Sequence, residues 1–149
     1  MTSSCQVDFY VLSSPGLDAR LMACRLALMS WERGLSTTVV TEDEISAREL
    51  DEMLWKSPAG RFLPHDRQVG AKPCSAPVKV SLLEELADEA AENGGVVINL
   101  CQEPVSSPGR FDRLLEIVPQ NKDARNASRQ KFKYYREQGI SPGSHEINK

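Results

Sequence analysis

The chain reads as an α/β protein, a Rossmann-like open and mostly parallel sheet with helices on both faces. Two patterns predict that class. Short β-branched runs alternate with stretches of helical period along most of the sequence, and parallel neighbours need such crossovers. Strands such as VVIN at 96–99 also lack a polar alternation, as expected where both sheet faces are covered. The length of 149 residues, 40% of them hydrophobic, suits one domain with a sizeable core and argues against two.

The first strand is VDFYVL, residues 7–12, which stops at SSPG. A helix follows from Asp18, a side chain able to cap it, with Leu21, Cys24, Leu28 and Trp31 at helical spacing and Gly34 as its stop. STTVVT at 36–41 is the second strand, leading into the helix EDEISARELDEMLW, whose N-terminal acids suit the helix dipole. Residues 56–77 carry four prolines and two glycines and read as a long loop, the kind of segment that often bears function. VKVSL at 78–82 resumes the strands, LLEELADEAAEN reads as an acidic helix ending at Gly94 and Gly95, and GVVINL is the next strand. FDRLLEIVP is read as a short helical turn feeding a strand from Leu115 to Val118. Residues 121–138 form the last helix, closed at Gly139, and SPGSHEINK from about residue 140 reads as a short polar tail. The expected organisation is therefore a single α/β domain over residues 1–149 with that tail.

Composition narrows the function. Eighteen basic against 21 acidic residues leave a formal charge of −3, so the surface as a whole is not built to coat nucleic acid or anionic membrane. No apolar run approaches the ~20 residues of a membrane span, and MTSSCQVD has neither the cationic nor the apolar part of a signal peptide. The expected location is cytoplasmic. Cys5, Cys24, Cys74 and Cys101 are scattered without metal-ligand spacing and are expected to be free thiols, with no cofactor implied.

Catalytic motifs are sparse. SSPGLDAR after the first strand matches no glycine-rich phosphate loop, and no G-x-S-x-G elbow occurs. A small nucleotide-binding or hydrolytic α/β enzyme would have to use that loop and His65, which sits beside Asp66. The acidic runs at 42–52 and 84–92 read most simply as solvated helix faces.

The charge distribution carries more. Residues 122–136 hold Lys122, Arg125, Arg129, Lys131, Lys133 and Arg136 against the single acid Asp123, a local charge of +5. At ~100° per residue, Arg125, Arg129, Lys133 and Arg136 share one stripe with Phe132 at its edge. The opposite arc holds Ala124, Ala127, Ser128, Tyr134 and Tyr135, which can pack on a sheet, and Lys131 in that arc is expected to snorkel outward. Such a helix is either a solvated basic face or one wall of a groove for an acidic peptide or a nucleic-acid strand. A lone Phe132 offers a bare nucleic-acid strand little to stack on. Trp55 with Phe62, Leu63 and Pro64 forms a second cluster, either a satellite core or an anchor for a partner chain.

In order, DFYVL, TEDE, LDEMLW, SPAGRFLPH, APVKV, IVP and the helix ending RQKFKYYREQG resemble the chi subunit family of bacterial DNA polymerase III holoenzyme. The resemblance runs from about residue 7 to about residue 140. It implies a non-catalytic accessory subunit of DNA replication with a Rossmann-like sheet, attached to the clamp-loader complex through the psi subunit. It also implies binding of the acidic, phenylalanine-ended C-terminal tail of single-stranded DNA-binding protein, so that contact with DNA is mainly indirect. By position, Arg125, Arg129 and Lys133 would hold the tail's carboxylates, with Phe132 and Val118 on the apolar side of the pocket. Trp55, Phe62, Leu63 and Pro64 would carry the surface for psi or for an iron-sulfur helicase. The acidic segment 83–95 and the tail SPGSHEINK depart from the family's pattern.

Overall fold

The computed structural model describes residues 5–14, 16–56, 65–67, 78–83, 95–105 and 111–147. Within them the chain runs β1 (Gln6–Leu12), α1 (Ala19–Glu32), β2 (Thr37–Thr41), α2 (Glu44–Lys56), β3 (His65–Arg67), β4 (Val78–Leu82), β5 (Val96–Asn99), β6 (Arg113–Val118), α3 (Lys122–Glu137) and β7 (Gly143–Ile147). The strands form one sheet in the order β3-β4-β2-β5-β6-β1-β7, and every pairing among them is parallel.

The two sheet faces follow from strand alternation. Val39, Ile98, Leu115 and Ile117 point to the side packed by Met22, Leu26, Leu50 and Leu54 of α1 and α2. Phe9, Val97, Leu114 and Val118 point to the other, where Tyr135 and Phe132 of α3 close the core. Asp18 caps α1 as its position suggested, its carboxylate accepting from the backbone N–H groups of Arg20 at 2.8 Å and Leu21 at 3.4 Å. Gly34 and Gly139 stop α1 and α3 at left-handed φ values of 77° and 85°, which an L side chain rarely adopts.

Three expectations change. The stretch before Leu115 is not a helical turn, because the strand already begins at Arg113, paired with Gln6 on one side and Val96 on the other. The reading of everything beyond about residue 140 as a polar tail is corrected for Gly143–Ile147, which is an edge strand beside β1. Its side chains are polar because it lies at the margin. The backbone ladder to β1 holds it, helped by Ser13 donating to the Ile147 carbonyl at 3.1 Å and by the Asp8–His145 contact at 3.1 Å. The long loop contributes β3, a three-residue strand on β4 that includes His65. The acidic segment 84–94 lies outside the described residues. Cys5, Cys24 and Cys101 are buried free thiols, and burial pushes the Cys101 thiol up to about 12.

Candidate functional site

Helix α3 carries the basic stripe and is held to the sheet by a buried polar cluster. Its start is capped by Asn121, whose side chain accepts from the Ala124 N–H at 2.7 Å. On the inward arc, Phe132 packs against Phe9 with ring centroids 5.6 Å apart, and the fully buried Tyr135 lies 6.1 Å from the same ring. Full burial of a large apolar side chain stabilises by about 1.5–3 kcal/mol, and the half-buried Phe132 contributes less than that.

Lys131 does not snorkel. It is only 3% exposed and its Nζ donates to Glu116 Oε1 at 2.9 Å and to the Cys101 carbonyl. Glu116 is fully buried on β6, where it also accepts from Asn99 Nδ2 at 2.9 Å and from the Tyr135 hydroxyl at 2.5 Å. That hydroxyl in turn accepts from the Val105 N–H at 2.9 Å, and Asn99 Nδ2 reaches the Glu103 carbonyl at 2.9 Å. Every charge in the cluster has a partner, the condition under which a buried ion pair is tolerated. Loss of solvent pushes the Glu116 carboxyl above the ordinary range, against the pull of Lys131. The Tyr135 hydroxyl is likewise pushed far up by burial and by Glu116.

This cluster changes the electrostatics that the helix presents. With Lys131 neutralised inside, the charge offered outward by residues 122–136 falls from +5 to +4. Arg125, Arg129, Lys133 and Arg136 are all exposed, as the helical period requires.

The structure gathers Val118, Arg125 and Arg129 into one groove of about 400 Å³, bounded on its far side by Ser144 and Glu146 of β7. Arg129 also belongs to an adjoining hollow of about 450 Å³ with Phe132, Lys133 and Arg136, closed at one end by Glu137. The five residues expected to hold the acidic tail therefore line two hollows that share Arg129: Val118 and Arg125 belong to the first, Phe132 and Lys133 to the second. Val11 beside the buried Val118 in the first hollow and the half-buried Phe132 in the second add apolar surface, and the α3 side is cationic. Chemically this suits an extended chain that offers carboxylates to guanidinium groups and one apolar side chain to that apolar surface.

Ser144 and Glu146 were missed because β7 was read as tail. Glu116 was missed although LLEIV places an acid inside an apolar strand; Lys131, one of the few charges on the packing arc of α3, was the available signal for its partner. Trp55 falls in the last turn of α2. Its side chain and residues Phe62, Leu63 and Pro64 lie outside what the structure describes.

The enzymatic reading finds no support at the first loop. Asp18 already occupies the N–H groups of α1 that a phosphate would need. No group of three or more His, Cys, Asp or Glu side chains among the described residues is arranged to hold a metal, and no helix there is long and apolar enough to cross a membrane.

Fold and groove together define an open-sheet α/β protein with a cationic, helix-borne docking trough. The chain belongs to the DNA polymerase III chi subunit (HolC) family, whose model matches residues 5–142. It is 34% identical over 143 residues to DNA polymerase III subunit chi of Pseudomonas aeruginosa, covering 95% of this chain and 96% of that one. The corresponding subunit of Escherichia coli K12 is 27% identical over 138 residues, covering 89% and 92%. In three dimensions the chain is similar to bacteriophage T4 UvsW, with a TM-score of 0.71 at 8% identity; the match covers 99% of this chain and spans 42% of that one. It is also similar to the C-terminal domain of the DEAD-box protein Dbp5, with a TM-score of 0.59 at 10% identity, covering 94% and 90%. At such identities these two show the shared fold alone. As a chi subunit the chain is an accessory subunit of a bacterial DNA polymerase III holoenzyme.

Proposed function

We propose that the trough along α3 holds the acidic C-terminal tail of single-stranded DNA-binding protein, and that the chain pairs with the psi subunit through the end of α2 and the loop after it. The protein would thereby link the clamp loader to DNA already coated by that binding protein. An iron-sulfur helicase is a further candidate for the Trp55 surface.

One observation carries the reading: Arg125 and Arg129 line one hollow with Val11 and Val118, and Arg129 lines a second with Phe132 and Lys133. An acidic tail ending in phenylalanine offers carboxylates to the arginines, a terminal ring to the apolar surface, and an α-carboxylate to whichever cation lies nearest the ring. Because the wall is exposed, the attraction is screened over about 10 Å at 0.1 M ionic strength.

The experiment is a titration of the protein with a fluorescent acidic peptide ending in phenylalanine, beside the same peptide amidated at its C-terminus. Tight binding that amidation weakens supports a carboxylate-reading trough. Absence of binding to both reduces the stripe to a solvated face and refutes the proposal.

A further inference from the structure

The first hollow of the trough is not uniformly cationic. Arg125 and Arg129 line it from α3, and Glu146 lines it from β7, together with Ser128 and Ser144. The sheet register explains the placement. Glu146 is paired with Val11 and Ser144 with Phe9, residues that point to the face covered by α3, so both β7 side chains stand on that face. His145, paired with Tyr10 and stacked on its ring, points to the other.

The charge of Glu146 is uncompensated. Its side chain is exposed and makes no ion pair among the described residues, although two guanidinium groups line the same hollow. Its backbone is fixed by the ladder to β1 and, one residue on, by the Ser13 hydroxyl donating to the Ile147 carbonyl at 3.1 Å. With Glu137 in the second hollow, these acids lower the charge along the trough from the +4 offered by residues 122–136 to +2.

For attracting anions alone such an acid is unfavourable, because a like charge across the groove repels whatever the arginines draw in. Its effect is to sort anions by what else they carry. A DNA strand brings a phosphate with every nucleotide and no N–H or O–H donor along its backbone, so in this hollow its backbone meets Glu146 by repulsion alone. An extended peptide brings carboxylates on some side chains and an N–H on every residue except proline. It can turn the carboxylates to the arginines and donate an amide N–H to Glu146.

We infer that Glu146 is a specificity residue of the trough: it keeps single-stranded DNA off the arginines of α3 and admits an acidic peptide, whose backbone N–H donates to its carboxylate. The inference rests on the reading of the trough as a peptide site and adds the residue that separates this ligand from the polyanion it binds beside.

The test is a pair of anisotropy titrations of the full chain at low salt, one with the fluorescent acidic peptide ending in phenylalanine and one with a fluorescent oligodeoxythymidylate. Parent, Glu146→Gln, Glu146→Lys and Glu52→Gln are compared, with circular dichroism establishing that each is folded. Glu52 is an exposed acid of α2, which covers the opposite face of the sheet, and it controls for net charge. The parent should prefer the peptide by about tenfold or more. In Glu146→Gln the oligonucleotide should bind about five- to tenfold more tightly, and in Glu146→Lys more tightly still, with the gain shrinking as salt is raised. The peptide should change by about twofold or less in Glu146→Gln, because relief of repulsion is offset by a weaker acceptor. No gain for the oligonucleotide, a peptide response as large as the oligonucleotide's, or an equal gain in Glu52→Gln overturns this inference and leaves the peptide site standing. Failure of the parent to bind the peptide overturns the reading of the trough, and this inference with it.

Discussion

Replacing Lys131 by methionine removes the one cation from the cluster beneath α3 while keeping most of the side chain's length. Glu116 would then be fully buried with Asn99 and Tyr135 as its remaining hydrogen-bond donors, and the Cys101 carbonyl would lose the ammonium. Breaking a buried pair by removing one partner costs about 3–5 kcal/mol. Two surviving hydrogen bonds to the carboxylate put the expected loss near the lower end, about 3 kcal/mol. The loss must also depend on pH. Lys131 is what restrains the rise in the Glu116 pKa caused by burial, so in the variant that pKa climbs further above the ~4.3 of an unfolded glutamate. Between those values the folded state binds more protons than the unfolded one, so stability falls as pH rises through the window. Urea unfolding should accordingly show a deficit, relative to the parent, that is largest near neutrality and shrinks toward pH 4.5. Adding Glu116→Gln should recover much of it, because a neutral amide can keep the bonds from Tyr135 and Asn99. A deficit equal at both pH values, or below about 1 kcal/mol, would refute the account of α3 as anchored by a buried charge pair.

Further outcomes concern the trough, the edge strand and the second surface. Arg129→Ala should weaken binding of the acidic peptide by about 1.5–3 kcal/mol with the fold intact, and the parent's affinity should fall as salt is raised. Unchanged affinity in an anisotropy titration of the variant rejects that role. Gly143→Ala would place a methyl group 2.6 Å from Asp8 Oδ1. Asp8 is held by Gln6, Arg113 and His145 at 3.0, 3.2 and 3.1 Å and cannot step aside freely. A loss of about 1–3 kcal/mol in thermal or urea unfolding is expected, and a neutral result would mean that β7 docks more loosely than its ladder suggests. Trp55→Ala should reduce co-purification with psi without lowering affinity for the acidic peptide; loss of both together would point to unfolding instead of a separate surface.

How far the site was legible depended on what kind of physics located each part. The stripe of Arg125, Arg129, Lys133 and Arg136 is a consequence of helical period, which a sequence displays directly. Asp18, Gly34 and Gly139 act within one or two turns of where they stand, so their caps and stops were equally readable. The far wall of the trough was not: β7 pairs with β1 from more than 130 residues away, and a backbone ladder does not require hydrophobic side chains.

By itself the sequence determined the alternation of strands and helices, hence a sheet covered on both faces, and the family through residues spread over nearly the whole chain. These are local periodicities and ordered motifs, and neither needs knowledge of what packs against what. Tertiary structure alone decided that Lys131 faces Glu116 and not solvent, and that Ser144 and Glu146 complete the groove opposite Arg125 and Arg129. Each of those depends on which strand lies beside which. In a parallel sheet that adjacency is set by crossovers among distant segments, so the chemistry made at the strand ends appears only once the sheet is assembled.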